Sequence, residues 1–424
     1  MTRARLRAAA LRILRAGLAA VEPGRLIREQ LSVDGADIRA GKEIVRKPRR
    51  IFVVSVGKAA IPMAESAVGI LGDRITAALV IAPIRAPSMP RTRSFRAGHP
   101  VPDADGVRAG RAVIRLLSQA GTGDLVLLLL SGGASSLMPA PIKGVSLRDK
   151  QRVTRLLLQR GATISEINAV RKRLSVLKGG GFARLAAPAR VVALALSDVP
   201  GDDPRTIGSG PASEDPRATS LARKVMRRFF KAAEISLSVR RALLRPASVR
   251  FRRNAKTFVI GSGTTFAKAA SDEAKRIGFP CRVLIGGLRG DASGCGPAMV
   301  ATFLRQRKGR PSCLIATGET VVAVTGPGLG GRNQELALAV VPRLSGLGFP
   351  VVLAAFATDG RDGPTRASGG LVDDRTASRA RKMEVSIESA LNRNDSYRAL
   401  LKLGQLIVTG PTKTNVADVA IVLG

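Results

Sequence analysis

The chain predicts an α/β protein of two domains, on two observations. Apolar runs end in turns rich in glycine, hydroxyl or charged residues: IFVVSV before Gly57-Lys58, LVLLLL before Ser131-Gly132-Gly133-Ala134-Ser135-Ser136, and VVLAAFA before Thr358-Asp359-Gly360. Runs of that length read as buried parallel strands, whose C-terminal ends are where open α/β sheets bind ligands. The second observation is size: 424 residues, 45% of them hydrophobic, are too many for one ordinary core and apolar enough to fold.

The N-terminal MTRARLRAAALRILRAGLAAV is arginine-rich and free of acids, a composition shared with transit peptides. Leu6, Ala10, Ile13, Gly17 and Val21 nevertheless recur at helical spacing, and Pro23-Gly24 separates them from a second short helix, so a folded amphipathic helix is expected. Next come the strand Ile51 to Gly57, the helix KAAIPMAESAVGIL, the strand ALVIA, a loop Gly98 to Asp103, the helix RAGRAVIRLL and the strand before Ser131. Such alternation predicts a Rossmann-like parallel sheet covered by helices. A helical region near SLRDKQRVTRLLLQRG, a basic loop Asn168 to Arg173, the strand VVALALS and a turn-rich Asp198 to Asp203 complete the first domain. The second domain is expected to hold the strands TFVIG, LIGG, CLIAT, VVAVTG, VVLAAFA and LIVTG. A boundary near Arg250 gives domains 1–250 and 251–424.

Composition narrows the function classes. Cys281, Cys295, Cys313 and the single His99 build neither a CxxC zinc site nor a disulfide framework, and they suit free thiols in a cytoplasmic protein. No apolar run reaches the roughly 20 residues needed to span a bilayer. The formal charge of +38 invites nucleic acid as a partner, yet aromatics are only 3% of the chain, so stacking platforms are scarce. The densest basic stretch, Arg223 to Lys256, is interrupted by apolar residues at helical spacing and reads as a solvated helix face.

Phosphate-type chemistry is better supported. Gly57-Lys58 joins a strand to a helix, where backbone N–H groups and an ammonium favour an anion. In the serine loop, Gly132 and Gly133 allow close backbone approach while Ser131 and Ser135 offer hydroxyls. The loop is not a GxSxG elbow, and a serine hydrolase would need His99 as its base, which a structural role in a Pro-rich turn outweighs. Gly261-Ser262-Gly263 begins like a dinucleotide fingerprint, but Phe266 stands where its third glycine belongs. Asp198, Asp202, Asp203, Glu319 and Asp359 follow strands, where carboxylates hold Mg²⁺ or accept a proton. Arg171, Lys172 and Arg332 are the candidate cations. The polar loop Thr409 to Asp418 has no role a core would require.

Taken in order, VGKAA, AGHPVPD, SGGASS, EINAVRKRLSVLKGG, SDVPGDD, SGP, GGRNQE, TDGRDGP and TGPTKTNVAD resemble the glycerate 2-kinase family, whose C-terminal part is called MOFRL. The resemblance implies an N-terminal Rossmann-like domain and a C-terminal MOFRL-type α/β domain with the active site in the cleft between them. It also implies ATP- and Mg²⁺-dependent phosphorylation of D-glycerate on its 2-hydroxyl. Three features depart from the family pattern: Ala134 in place of a third glycine, Ala316-Thr317-Gly318-Glu319-Thr320 in place of SGGET, and no histidine-containing turn in IAPIRAPSMP. Alanine at 134 is expected to narrow the loop's backbone, since non-glycine residues resist positive φ.

On this reading Lys58 and Arg332 supply charge to the transferred group, and Ser131, Gly132, Gly133 and Ser135 cradle an anion. Arg171 takes the glycerate carboxylate, with Asn333, Glu335, Thr412 and Asn415 as further binding residues. Asp198 is the proton acceptor or a metal ligand, with Glu319 and Asp359 as further metal candidates. Two alternatives remain at this stage: an NAD(P)H-dependent hydroxypyruvate reductase, and a basic nucleic-acid-associated protein on an altered kinase fold. Neither a membrane nor nucleic acid is an expected partner, and a homodimer is compatible with the reading.

Overall fold

The computed structural model describes residues 2–246, 254–307 and 309–424. It divides into two compact units, one of Pro23–Ser197 and Asp202–Ile260, the other of Met1–Glu22, Asp198–Gly201 and Gly261–Gly424. The boundary expected near Arg250 lies outside the described residues, as does part of the basic stretch before Lys256.

The first unit is built on a six-stranded sheet in the order Thr92–Arg96, Ile75–Ala82, Ile51–Val56, Leu125–Leu130, Arg190–Leu196 and Ala255–Gly261. The first five strands run parallel, as the βα alternation predicts. Ile51–Val56 and Leu125–Leu130 are buried at every position, which is why they read as uninterrupted apolar runs. TFVIG, expected to open the second domain, is instead the edge of this sheet. Its Phe258 and Ile260 pack against the core that holds Ile51, Val53, Leu127 and Val192. A three-stranded antiparallel sheet, Leu31–Asp34, Asp37–Ala40 and Glu43–Val45, was not expected, although the Asp34-Gly35 turn signals its first hairpin. Asn168 to Arg173 is not a loop but the end of the helix Ile164–Arg173. Thr163 and Glu166 close a capping box at its start. The helices Ala218–Phe229 and Leu237–Leu244 bury Ala222, Val225, Phe229, Val239 and Leu243, so the described part of the basic stretch is amphipathic.

The second unit carries a mixed sheet ordered Cys281–Leu288, Cys313–Gly318, Asp418–Leu423, Val352–Ala357, Gly369–Asp373 and Leu406–Ile407. Only the first pair is parallel. VVLAAFA, expected beside parallel neighbours, lies between the antiparallel strands Asp418–Leu423 and Gly369–Asp373. DVAIVL, preceded by a polar loop, is a central strand that sequence reading missed. VVAVTG, by contrast, is not a strand: Val321 and Val324 are 62% and 75% exposed, and Asn394 Oδ1 accepts the backbone N–H of Thr325 and Gly326. LIVTG shortens to Leu406–Ile407.

The N-terminal helix Arg3–Ala20 belongs to this unit. Leu6, Ala10, Ile13 and Leu14 share a core with Phe266, Phe356 and Ile421. Three of its arginines are paired: Arg3 with Asp374 at 2.6 Å, Arg7 with Asp373 at 2.9 Å and Arg12 with Glu273 at 2.5 Å. Among the described residues no helix is long and apolar enough to cross a membrane.

Candidate active site

In the first unit the turn after Ile51–Val56 is tied to the serine loop. Lys58 N donates to Gly132 O at 2.9 Å and Ala59 N to Ser131 Oγ at 3.1 Å. Gly57 has φ +134°, and a Cβ there would collide with Ser131, so the two turns can meet only with glycine at that position. The fully buried Ser131 hydroxyl is therefore occupied in joining two strand ends. Gly133 is left-handed at φ +84°, and a Cβ on it would lie 2.8 Å from the His99 ring and 3.5 Å from Lys58 Cγ. Lys58 and His99 thus gather over the same glycine. Ala134 begins the short helical turn Ala134–Leu137, so the left-handed demand falls on Gly133, and the expected narrowing of the loop by Ala134 does not arise.

Ser135 faces a polar network that the residue-by-residue reading missed. Lys178 Nζ donates to both Ser135 O and Ser135 Oγ at 2.6 Å. Ser135 Oγ lies 3.0 Å from Ser209 Oγ, which donates to Asn168 Oδ1 at 3.2 Å. Arg171 stands nearby, half-buried, its pKa lowered by burial. Lys172 is not available as a candidate cation, because its ammonium pairs with Asp215 at 2.6 Å. Asp203 is likewise spent: hydrogen bonds from the Arg205 guanidinium hold its pKa low. Lys178 lies in a quoted motif, but a lysine beside glycines gives no sign that it is buried.

In the second unit, Asp418 begins its strand opposite Gly318 and Ala357, between the C-terminal ends of two strands running the other way. Arg332 meets it there. Arg332 Nε and Nη2 donate to the Asp418 carboxylate at 2.5 and 3.2 Å, and Nη1 pairs with Glu319 at 2.5 Å. Burial works to lower the Arg332 pKa, but the charge and hydrogen bonds of Asp418 and Glu319 outweigh it and raise the value. For Asp418 burial is the dominant cause, pushing the carboxyl up to about 7 against the pull of Arg332. Sequence reading missed Asp418 as a partner because an aspartate before a strand looks like a turn former.

Behind Arg332 the buried Asp362 carboxylate accepts the backbone N–H of Asn333 and Gln334 at 3.1 and 2.8 Å. It also accepts both their side-chain amides, fixing the first turn of the helix Arg332–Ala339. Asn333 therefore faces inward. Glu335 is also buried and accepts from Asn394 at 3.3 Å, with its pKa raised by burial. Thr412 Oγ1 donates to Thr358 O, and Thr358 Oγ1 to Ala417 O at 2.5 Å, so the polar loop Thr409 to Asp418 is stitched to the Thr358-Asp359-Gly360 turn. Asn415 donates to Asp198 at 3.0 Å and orients that carboxylate. Asn333, Glu335 and Thr412, expected as binding groups, each make a hydrogen bond within the protein. Asp198, Glu319 and Asp359 do not converge: among the described residues no cluster of three or more His, Cys, Asp or Glu side chains could hold a metal ion. The Gly261-Ser262-Gly263 turn is a helix cap, with Ser262 Oγ accepting from Thr264 N and Phe266 buried against Gly17.

Residues 9–244 match the model of the domain of unknown function DUF4147, and residues 312–418 that of the MOFRL family. The chain is 40% identical to the D-glycerate 2-kinase of Thermotoga maritima, covering 98% of both proteins. The chain belongs to the MOFRL-type glycerate kinase family. It is 34% identical to the glycerate 2-kinase of Pyrococcus horikoshii, over 99% of this chain and 97% of that one. The crystal structure of the Thermotoga maritima glycerate kinase superposes with a TM-score of 0.87 at 39% identity, covering 99% of each chain. This family member thus keeps the fold over 99% of its length, with Lys58 and the serine loop following strands and Arg332 opening a helix.

Proposed function

We propose that the protein phosphorylates D-glycerate on its 2-hydroxyl with ATP, giving 2-phosphoglycerate and ADP. The observation that carries this reading is the near-full-length similarity to a D-glycerate 2-kinase. The side chains suit the reaction, because phosphoryl transfer asks a protein mainly to position anions and neutralise their charge. Lys58 and Arg332 supply that charge. Arg332 is pre-oriented by Asp418 and Glu319 rather than left to sample rotamers. Gly132, Gly133 and Ser135 cradle an anionic group and Arg171 takes a carboxylate.

Asp198 is the proton acceptor in this reading, held in orientation by Asn415. Mg²⁺ asks for only one or two protein carboxylates beside water and phosphate oxygens, so Asp359 alone would be enough to hold it while Asp198 takes the proton. Bound with ATP, the ion would offset charge on the phosphates. Asn333, Glu335 and Thr412 are positioning residues. The three cysteines are free thiols, in keeping with a cytoplasmic setting.

The test is coupled ADP release with D-glycerate and Mg·ATP, beside L-glycerate, hydroxypyruvate with NADH, and a blank without acceptor. ADP formation requiring both D-glycerate and magnesium is the expected result. NADH consumption without ADP would replace the kinase by a reductase.

A further inference from the structure

Lys150, on the helix Leu147–Gln159, is 6% exposed, and its Nζ has no hydrogen-bond partner among the described residues. It lines a cavity of about 360 Å³ together with Arg171, Lys178, Ser135 and Ser136. Pro100, Val101, Pro102, Pro139 and Leu158 form an apolar part of the wall, and among the described residues no carboxylate lines the cavity. The charged groups that line the cavity with Lys150 are Arg171 from the helix Ile164–Arg173, Lys178 from the turn beyond it, and Arg155 from its own helix, all of one sign. Buried charges are normally paired, so cations gathered without counter-charge against an apolar wall call for an anion from outside. The volume suits a small molecule.

We propose that this cavity binds a small phosphorylated hydroxy acid, and binds it more tightly than the unphosphorylated acid. The choice of ligand rests on the kinase reading, whose product joins a carboxylate to a phosphate. Such a molecule brings about three negative charges, where the substrate acid brings one. Arg171 presents a planar fork to a carboxylate or phosphate, and Lys150 and Lys178 add point charges once protonated. Burial, and then Arg171, draw the Lys150 pKa down to about 7, and burial, with Lys150 and Arg171, draws the Lys178 pKa well below its usual value, so at pH 8 binding of the polyanion is coupled to proton uptake by the two lysines.

The experiment is calorimetric titration of the full chain at pH 8 with 2-phospho-D-glycerate, D-glycerate and inorganic phosphate, in two buffers of different ionisation enthalpy. In the wild type, 2-phosphoglycerate should bind at least about tenfold more tightly than D-glycerate and with proton uptake. Lys150→Met should weaken 2-phosphoglycerate about tenfold or more and reduce the uptake, while D-glycerate shifts by less than about threefold. Inorganic phosphate should bind weakly and lose affinity in the same variant. Lys178→Met provides a second reading of the same loss, with circular dichroism confirming that each variant is folded. Equal affinity for the two acids, or unchanged 2-phosphoglycerate affinity in folded Lys150→Met, overturns the proposal. The ADP assay separates the two claims: Lys150-dependent binding without ADP production keeps the cavity and sinks the kinase, and the converse sinks the cavity.

Discussion

Lys150→Met should stabilise the protein, and by more at pH 6 than at pH 10. The folded chain draws the lysine pKa from 10.5 to about 7, through burial and the charge of Arg171. Between those values the unfolded chain still holds a proton that the folded chain has released, so stability rises with pH across that interval. Below pH 7 both states are protonated and the penalty is fully present. Each tenfold change in proton affinity is worth about 1.4 kcal/mol, which sets a ceiling of about 5 kcal/mol on that penalty. Methionine keeps an unbranched stem of similar length without the charge. The gain expected at pH 6 is roughly 2–4 kcal/mol, falling below about 1 kcal/mol at pH 10. For a domain of this size, 1 kcal/mol moves Tm by roughly 2–4 °C. Urea denaturation of both proteins at pH 6, 8 and 10 reads the difference, and groups titrating alike in both cancel. A gain that does not change with pH, or a loss at pH 6, would refute the picture of an uncompensated buried ammonium.

Arg332→Ala should abolish turnover by at least about two orders of magnitude and destabilise the chain by roughly 3–5 kcal/mol, because Asp418 is left buried without its partner. Adding Asp418→Asn should restore most of the stability but none of the activity, as read by denaturation and ADP release. Lys58→Ala should lose turnover on a similar scale while Tm moves by less than about 2 °C; near-wild-type rates would remove Lys58 from the site. Gly133→Ala should cost roughly 1–3 kcal/mol, since it places a Cβ against His99 at φ +84°. Ala134→Gly, at a helical position, should cost no more than about 1 kcal/mol and leave turnover within about twofold, which steady-state rates would check.

Much of the architecture can be read from local pattern because LVLLLL and IFVVSV are buried on both faces and end in glycine-permitted turns. What local pattern does not contain is the identity of a strand's neighbour. TFVIG looks the same whether it opens a second sheet or closes the first, and VVLAAFA whether its neighbours run parallel or antiparallel. VVAVTG shows the reverse failure: β-branched residues suggest a strand, but Asn394 takes its backbone donors and leaves Val321 and Val324 in solvent. Among the proposed site residues, Lys58 and Arg332 can be found from sequence because each sits where a strand or glycine turn gives way to a helix. Asp418 and Asp362 cannot, because their meaning comes from partners 86 and 28 or 29 residues away. Lys150 is equally hidden, lying in a polar stretch that reads as helix surface.

The extreme charge acquires a physical meaning once the carboxylates are followed. The chain has 31 acidic residues for 69 Lys and Arg. Several of the acids are committed to the frame: Asp373, Asp374 and Glu273 hold the N-terminal helix, Asp124 holds Arg50, Asp215 holds Lys172, and Asp418 with Glu319 holds Arg332. Leaving exposed cations unpaired costs little, since water solvates them. A buried cation without an acid is a different matter, because desolvation penalises it at every pH where it carries charge. Lys150 is in that position, while Lys172, on the neighbouring helix, has Asp215 beside it. Shortage of acids therefore does not explain the Lys150 cavity. A nearby lysine receives a carboxylate, and the fold withholds one from the wall that an incoming anion would need.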